Sequence, residues 1–106
     1  MYNFVKYRYM KKLIRDNYAE IILEKERMTI VTDPVEQFIL YTQKIHEELS
    51  ELHETAFNDI EEYADVLESL YAMADLQGIP RELIEIARLR KLEEKGGFKK
   101  CLVLSD

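Results

Sequence analysis

Hydrophobic residues recur at helical spacing through the second half of the chain. At Asp33-Pro34 an acid suited to an N-cap precedes a proline suited to the first helical position, which predicts a helix from there to about Thr55. Its main apolar residues fall within an arc of about 80° on a helical wheel, so the arc is expected to face a core. These residues are Phe38, Tyr41, Ile45, Leu49 and Leu52.

Two further helices are predicted after this one. Asn58 and Glu61 have the spacing of a capping box, which predicts a helix that begins there and ends at Gly78. Pro80 then precedes a last helix over Arg81 to about Lys95. Because only a few residues connect the first two of these helices, they are expected to be antiparallel neighbours. The apolar positions of the middle helix are Ile60, Tyr63, Val66, Leu67, Leu70 and Ala74.

The two ends of the chain carry weaker patterns. Leu13 to about Lys25 predicts a short amphipathic helix, although its apolar spacing is imperfect. Met28 to Thr32 predicts a brief strand or an extended link, and Phe98 to Leu104 a short strand or an extended tail. We therefore expect one all-α domain over residues 1–106, a helical bundle built on an antiparallel helix hairpin, with short extended terminal segments. A core of this size is modest, so a second subunit is expected to complete the bundle.

Composition agrees with this fold and excludes several classes of function. Hydrophobic residues make up 47% and charged residues 34%, with three Gly and two Pro, which favours long helices. A net charge of −6 argues against a protein that coats nucleic acid. No apolar run approaches the roughly 18 residues of a membrane span, and the start lacks the apolar core of a signal peptide. The single cysteine, Cys101, favours a reducing compartment, so we expect a cytoplasmic protein without a membrane or nucleic-acid partner.

Residues 47–65 concentrate acidic side chains and contain no Lys or Arg. A solvated helix face usually carries Lys at i+4 spacing from its acids, which offsets the repulsion between carboxylates, and this stretch contains no such Lys. Either the face tolerates the repulsion or a cation resolves it. The eight carboxylates are Glu47, Glu48, Glu51, Glu54, Asp59, Glu61, Glu62 and Asp65.

Four of these acids are expected at one level of the hairpin. At about 1.5 Å of rise per residue, Glu51 lies roughly 10 Å before the turn at Asn58 and Asp65 roughly 10 Å after it. Glu48 and Glu62 fall within about one turn of that height, and both border the apolar stripes of their helices. The four carboxylates can therefore converge across one seam.

Such a cluster has two interpretations. Partly buried like charges cost free energy, which protonation or a divalent cation removes. Oxygen ligands without Cys or a paired His motif suit Mg²⁺ or Mn²⁺, and Mg²⁺ is commonly shared with substrate phosphates. The other interpretation is an ordinary solvated acidic face, in which Glu54 and Asp59 are solvated in any case. His46 and His53 lack metal-ligand spacing and are assigned as ordinary helix residues.

The acidic residues also match a known signature. EELSE at 47–51, followed by EEYADVL at 61–67, resembles the paired signature of the all-α nucleoside triphosphate pyrophosphohydrolases, the MazG-like superfamily. The spacer, Leu52 to Glu61, is ten residues and on the short side. KLIRD at 12–16 with EII at 20–22 resembles the opening of a small phosphoribosyl-ATP pyrophosphohydrolase-like branch, and KGGF at 95–98 with LVL at 102–104 its tail. The resemblance extends from about Lys12 to Leu104.

This resemblance implies an activity and a set of site residues. The activity is hydrolysis of a nucleoside triphosphate, or of phosphoribosyl-ATP, to the monophosphate and pyrophosphate, in the service of nucleotide-pool house-cleaning. It implies that Mg²⁺, with Mn²⁺ as a substitute, is held by Glu48, Glu51, Glu62 and Asp65. Glu47 would position the attacking water, or else be solvated. A homodimer or a higher homo-oligomer is expected.

Basic residues near both ends would neutralise the substrate's phosphates. Lys12 and Arg15 belong to the matched opening, while Arg88, Lys91 and Lys95 share one helix face through i, i+3, i+7 spacing. The alternative for the last three is solvated cations near a helix C-terminus, where cations are favoured anyway.

One departure and one rival function remain. Residues 17–19, Asn-Tyr-Ala, replace the branch's usual Lys-Ile-Pro and remove one cation, which puts phosphate contact near residue 17 in doubt. The rival is a catalytically silent helical module for oligomerisation or regulatory interaction. A silent relative is expected to have lost at least one of the four metal ligands, and all four are present. Three tyrosines are assigned to the core or an interface, with a nucleobase pocket as the alternative: Tyr41, Tyr63 and Tyr71.

Overall fold

Three α-helices make up most of the described chain. A computed structural model describes residues 11–20 and 28–105. This part contains a five-residue 3₁₀ helix, Asp16–Glu20, followed by α1 (Pro34–Glu54), α2 (Ile60–Leu76) and α3 (Arg81–Lys95). It contains no strand, so the all-α class is confirmed for these residues. None of the helices in these two ranges is both long and apolar enough to cross a membrane.

The start of α1 and the turn after it set up the hairpin. The Asp33 carboxylate accepts a hydrogen bond of 2.9 Å from the Glu36 N–H, and Pro34 occupies the first turn, as the sequence predicts. After α1, Ala56 and Phe57 adopt left-handed conformations with φ of 55° and 57°, uncommon for residues other than glycine. The Phe57 ring packs edge-on against His53, with ring centroids 5.8 Å apart. This tight turn reverses the chain and makes α1 and α2 antiparallel neighbours.

The cap of α2 differs from the prediction. Asp59 is the N-cap, and its carboxylate accepts a hydrogen bond of 2.9 Å from the Glu61 N–H. The capping box of Asn58 and Glu61 is therefore wrong, as is the assignment of Asp59 as merely solvated. The physical reason lies in the turn: the Asn58 N–H bonds to the Thr55 carbonyl at 3.2 Å, which keeps Asn58 inside the turn. Since Asn and Asp cap equally well, the turn decides between them.

The other helix ends follow the prediction. α2 ends just before Gly78, which has φ of 74°, a conformation that glycine adopts without penalty. α3 follows Pro80 and ends at Lys95, with Gly96 as its C-cap residue, which also has positive φ. Beyond α3 the tail forms no strand, and Cys101 in it is exposed and free.

The predicted first helix is wrong where the structure describes it. Residues 11–15 have no regular structure, and the Tyr18 N–H bonds to the Arg15 carbonyl at 3.0 Å in the i to i+3 pattern of a 3₁₀ turn. Asn17 and Tyr18 have weak helix propensity, which agrees with a short 3₁₀ turn in place of an α-helix. Residues 21–25 of that prediction lie outside the described residues. The Met28–Thr32 segment is a link without regular structure.

The core between α1 and α2 is small. In the described part of the chain the buried hydrophobic residues are only Leu40, Leu52, Val66 and Ala74. The predicted core arc of α1 is wrong for Phe38 and Leu49, which are 48% and 41% exposed. The buried residues of α1 are Leu40 and Leu52 together with Glu47 and Glu48, so charged side chains occupy part of the buried side and part of the apolar stripe is exposed. Much of the apolar surface of the hairpin is exposed to solvent.

Candidate functional site

Two groups of three carboxylates meet on the seam between α1 and α2. One group is Glu47, Glu48 and Glu51, and the other is Glu48, Glu62 and Asp65. Within each group, one oxygen from every residue lies within 4.8 Å of the others. Glu48 belongs to both groups. We call these five residues the acid cluster, and it contains all four predicted metal ligands together with Glu47.

The centre of the acid cluster is buried. Glu47 is 4% exposed and Glu48 is 6% exposed, so the alternative that Glu47 is solvated is wrong. The Oε2 atoms of Glu48 and Glu62 are buried and have no hydrogen-bond partner among the described residues. Buried acceptors without a donor cost free energy and are rare in folded proteins. These two atoms therefore call for a proton or a cation.

Three side-chain cations pair with the acid cluster. Lys12 Nζ lies 2.8 Å from Glu47 Oε1, and Arg15 Nη2 lies 2.6 Å from Asp65 Oδ1. Lys44 Nζ lies 3.0 Å from Glu48 Oε1. Both predicted phosphate-binding residues of the N-terminal segment thus reach the cluster. Within the described chain, the five carboxyl groups outnumber these three paired cations by two.

Lys44 is the site residue that the sequence prediction missed. It precedes Glu47 and Glu48 by three and four residues on α1, and its side chain is only 18% exposed. The i, i+3 and i, i+4 spacing from Lys44 to these two acids predicts ion pairs, but Lys44 lies outside the acidic stretch that begins at Glu47. Lys44, just before residues 47–65, therefore supplies part of the positive charge that this stretch lacks.

Crowding of the carboxylates shifts their protonation. Burial, followed by the charges of Glu48 and Glu47 and a hydrogen bond shared with Glu48, raises the pKa of Glu51 to about 7. Burial and the charge of Asp65 raise the pKa of Glu62 as well. The hydrogen bond to Glu47 raises the pKa of Lys12. Near neutral pH the acid cluster is therefore poised to exchange a proton for another cation.

The raised pKa of Glu51 predicts a pH dependence of stability. The unfolded chain has the ordinary value of 4.5, so the folded chain holds this proton more tightly between pH 4.5 and about 7. Stability from this group is therefore full below pH 4.5 and is lost as the pH rises through 7. In urea unfolding with a chelator present, the free energy of unfolding relative to Glu51→Gln is expected to fall across this window. A difference that stays constant or grows with pH would contradict this.

Removal of the Lys44 charge is expected to destabilise the fold. Lys44→Met keeps the apolar stem but leaves the buried Glu48 carboxylate without its ion-pair partner, which should cost about 3 kcal/mol of unfolding free energy in urea. Lys91→Met, at an exposed position of α3, is the matched control and should stay within about 0.5 kcal/mol. Equal effects of the two substitutions would show that Lys44 does not compensate the buried carboxylates.

A cavity of about 390 Å³ adjoins the acid cluster, a volume in the range of small-molecule sites. Glu48 and Asp65 form part of its wall, together with Arg15 and Lys44. The rest comes from residues 13–18 and from the facing sides of α1 and α2, including Asn17, Tyr18, Tyr41, Ser69 and Ala72. The segment that departs from the MazG-like pattern therefore lines the cavity through Asn17 and Tyr18.

The cations of α3 lie apart from this site. Arg88 donates to Glu85 on its own helix, with Nε 3.0 Å from Oε2, and Lys91 and Lys95 are exposed. No residue of α3 lines the cavity or belongs to the acid cluster. The structure brings Lys12 and Arg15 to the site but not these three, and their phosphate role stays a prediction.

The two histidines and two of the three tyrosines considered from the sequence lie outside the carboxylate groups and the cavity. His46 and His53 are exposed and belong to neither carboxylate group, in agreement with their assignment as ordinary helix residues. Tyr71 stacks with the Arg81 guanidinium, 4.7 Å from its ring centroid, and Tyr63 is 47% exposed. Of the three tyrosines considered for a base pocket, only Tyr41 lines the cavity.

Comparisons of the chain with models of protein families, with curated proteins and with solved structures found no match. The resemblance to the MazG-like superfamily thus has only the residues of the signature to rest on.

Proposed function

We propose that this chain is a Mg²⁺-dependent nucleotide pyrophosphohydrolase of the cytoplasm. It would cleave a nucleoside triphosphate, or phosphoribosyl-ATP, to the monophosphate and pyrophosphate, and so clear the nucleotide pool of aberrant members. The observation that supports this most is Glu48: it is 6% exposed, it belongs to both carboxylate groups, and its Oε2 has no hydrogen-bond partner among the described residues.

The donor set of the acid cluster suits a hard divalent cation. Its ligand atoms are carboxylate oxygens without Cys or His, the set that Mg²⁺ and Mn²⁺ prefer over zinc. A cation would satisfy the buried Oε2 atoms of Glu48 and Glu62 as a donor would. When all five carboxylates are ionised, they outnumber the three paired cations by two, which equals the charge of one such ion.

Glu48, Glu51, Glu62 and Asp65 would hold the ion. When bound, Mg²⁺ would supply Lewis-acid polarisation of the phosphate and activation of water. Glu47 is buried, and Lys44 on the same helix, with Nζ 3.6 Å from Glu47 Oε1, would hold its carboxylate in position after Lys12 turns to the substrate. We propose that Glu47 orients the attacking water and accepts its proton.

Lys12 and Arg15 would change partners when substrate binds. Both side chains are about half exposed, at 42% and 52%, so they can rotate from the carboxylates toward a phosphate. Guanidinium and ammonium groups form strong charge-assisted hydrogen bonds with phosphate oxygens. Because Arg15 and Asp65 both border the cavity, the phosphates would lie at the acid cluster and the nucleoside would extend into the cavity.

The rival function also has an observation in its favour. Several large apolar side chains on the outside of the hairpin are 41–50% exposed, as expected of a helical module that binds another protein. An enzyme that assembles through the same surface has this feature too. We include a second copy of the chain in the proposal, as the small core suggests.

The test of this proposal is product analysis. The full chain is incubated with a panel of nucleoside triphosphates and phosphoribosyl-ATP, with and without Mg²⁺, and pyrophosphate, orthophosphate and monophosphate are measured. We expect pyrophosphate and monophosphate in equal amounts from at least one substrate, only with Mg²⁺. Release of orthophosphate would indicate a phosphatase, and no turnover of any substrate would favour the silent module.

A further inference from the structure

The cavity beside the acid cluster extends along the seam of α1 and α2. Glu48 and Asp65 share a carboxylate group and line the cavity at the acid cluster. Tyr41 precedes Glu48 by seven residues, Ala72 follows Asp65 by seven residues, and both also line the cavity. Because the two helices are antiparallel, Tyr41 and Ala72 lie in the same direction from the acid cluster, at about 10 Å along the helices. The helical wall of the cavity therefore has one end at the acid cluster and the other at this pair.

A middle level lies between these two ends. It consists of Lys44 on α1 and of Glu68 and Ser69 on α2, which line the cavity three or four residues away from Glu48 and Asp65. At the helical rise this spacing is about 4.5–6 Å along the seam. Lys44 Nζ lies 3.0 Å from Glu48 Oε1, so its charge is turned toward the acid cluster. The groups of the middle level that are left for a ligand are therefore those of Glu68 and Ser69.

Both of these side chains offer hydrogen-bond acceptors. Ser69 is 7% exposed, and its hydroxyl donates to the Val66 carbonyl at 2.7 Å, which leaves only its lone pairs for a ligand. Glu68 Oε2 lies 3.5 Å from Nη2 of Arg81, and an ionised carboxylate has further lone pairs that accept hydrogen bonds. A polar group of the ligand at the middle level must therefore be a donor.

The Glu68 side chain is tied to the start of α3. The Arg81 guanidinium lies 4.7 Å from the ring centroid of Tyr71 and pairs with Asp75 at 3.6 Å as well as with Glu68. A planar guanidinium that stacks on a ring and is shared by two carboxylates has little freedom, so it keeps Glu68 beside the cavity. Of the two carboxylates that pair with Arg81, only Glu68 lines the cavity.

The order of these levels matches the order of groups in a nucleotide. The proposed reaction breaks the bond between the α- and β-phosphates, so the α-phosphate would lie at the acid cluster. The sugar follows the α-phosphate directly, which places it at the middle level, and the base then extends toward Tyr41 and Ala72. Ribose hydroxyls are donors of the kind that the middle level needs, and dinucleotide-binding proteins commonly bind the ribose 2′-hydroxyl through an Asp or Glu.

We propose that Glu68, with Ser69 beside it, accepts a hydrogen bond from the ribose 2′-hydroxyl, so that the site selects ribonucleotides over 2′-deoxyribonucleotides. A deoxyribonucleotide leaves these acceptors without a donor from the ligand, which weakens its binding. Both candidate substrates, a ribonucleoside triphosphate and phosphoribosyl-ATP, carry the 2′-hydroxyl. The inference rests on the proposed function for the placement of the nucleotide in the cavity, and not on hydrolysis.

The test is a comparison of affinities by isothermal titration calorimetry, with the full chain and Mg²⁺. The probes are α,β-methylene analogues of ribonucleoside triphosphates, which the proposed reaction cannot cleave, and their 2′-deoxy counterparts, paired for adenine, guanine, cytosine and uracil. The wild type is expected to bind the ribonucleotide of at least one pair about 10-fold or more tightly than its counterpart. Glu68→Ala should bring this ratio to within about twofold of unity. Because the result is a ratio, the change in net charge affects both probes alike.

Asp75→Ala is the matched control, since it removes the other carboxylate partner of Arg81 but no group of the cavity. It should keep the ratio of the wild type. Circular dichroism checks that the variants are folded, and Glu68→Gln, which keeps a weaker neutral acceptor and should lower the ratio, replaces Glu68→Ala if that variant is not.

The outcomes separate this inference from the proposed function. Equal affinities within every pair, binding of no probe, or a ratio that survives in folded Glu68→Ala would overturn the inference. Hydrolysis of triphosphates without selection for ribose would overturn it and leave the proposed function standing. Selective binding of the ribonucleotide analogues, lost in Glu68→Ala, by a chain that hydrolyses no triphosphate would support the inference and overturn the proposed function.

Discussion

Glu48→Gln is expected to lower kcat/KM for Mg²⁺-dependent pyrophosphate release by at least about 10³-fold, or about 4 kcal/mol of transition-state stabilisation. Glu48 is the residue that the two carboxylate groups share, so its loss removes a ligand from both at once. The amide keeps the shape of the side chain and can still contact Lys44. The measurement is steady-state kinetics on the best substrate of the panel.

Glu54→Gln is the matched control for this variant. Glu54 is an exposed glutamate on the same helix and belongs to neither carboxylate group. It is expected to keep activity within about twofold of the wild type, as usual for exposed positions. Equal activities of Glu48→Gln, confirmed as folded, and of the wild type would exclude the acid cluster from the reaction.

Lys12→Ala combined with Arg15→Ala is expected to raise KM for the nucleotide at least about 100-fold. Each cation would contribute a charge-assisted hydrogen bond to the phosphates, and such bonds are worth about 1.5–3 kcal/mol. In the absence of nucleotide the same variant should bind Mn²⁺ at least as tightly as the wild type, because two cations no longer compete for Glu47 and Asp65. A raised KM for the nucleotide together with an equal or tighter affinity for Mn²⁺ would show that these two cations change partners.

Lys11→Ala is the control for this second variant. Lys11 is 74% exposed and pairs with Glu36 at 2.6 Å, and no contact links it to the acid cluster. It should leave both KM and Mn²⁺ affinity unchanged. An unchanged KM in the double variant would restrict Lys12 and Arg15 to a structural role.

The helices could be predicted where short-range signals determine them. Asp33-Pro34 starts α1 and Gly78 follows α2, because a cap, a proline and a left-handed glycine act within a few residues. The cap of α2 could not be predicted, since both Asn58 and Asp59 can cap. The choice between them depends on the left-handed turn at Ala56 and Phe57, for which neither residue is a typical signal.

The acid cluster could be predicted in part. Rise per residue and the helical wheel predict Glu48, Glu51, Glu62 and Asp65 at one level, and the structure groups Glu48 with Glu62 and Asp65 and separately with Glu51. The burial of Glu47 could not be predicted in the same way. Glu47 pairs with Lys12, 35 positions earlier, and periodicity carries no information about such long-range contacts.

Thermal unfolding of the full chain with Mn²⁺ tests the central claim, that the acid cluster binds a divalent cation, most directly. At about 100 times its dissociation constant, an ion that binds only the folded chain stabilises it by about 2.7 kcal/mol, which corresponds to a rise in Tm of about 10 °C. We predict this rise for the wild type and for Glu54→Gln, and its loss in Glu48→Gln. No rise in the wild type, or an equal rise in Glu48→Gln, would contradict the account.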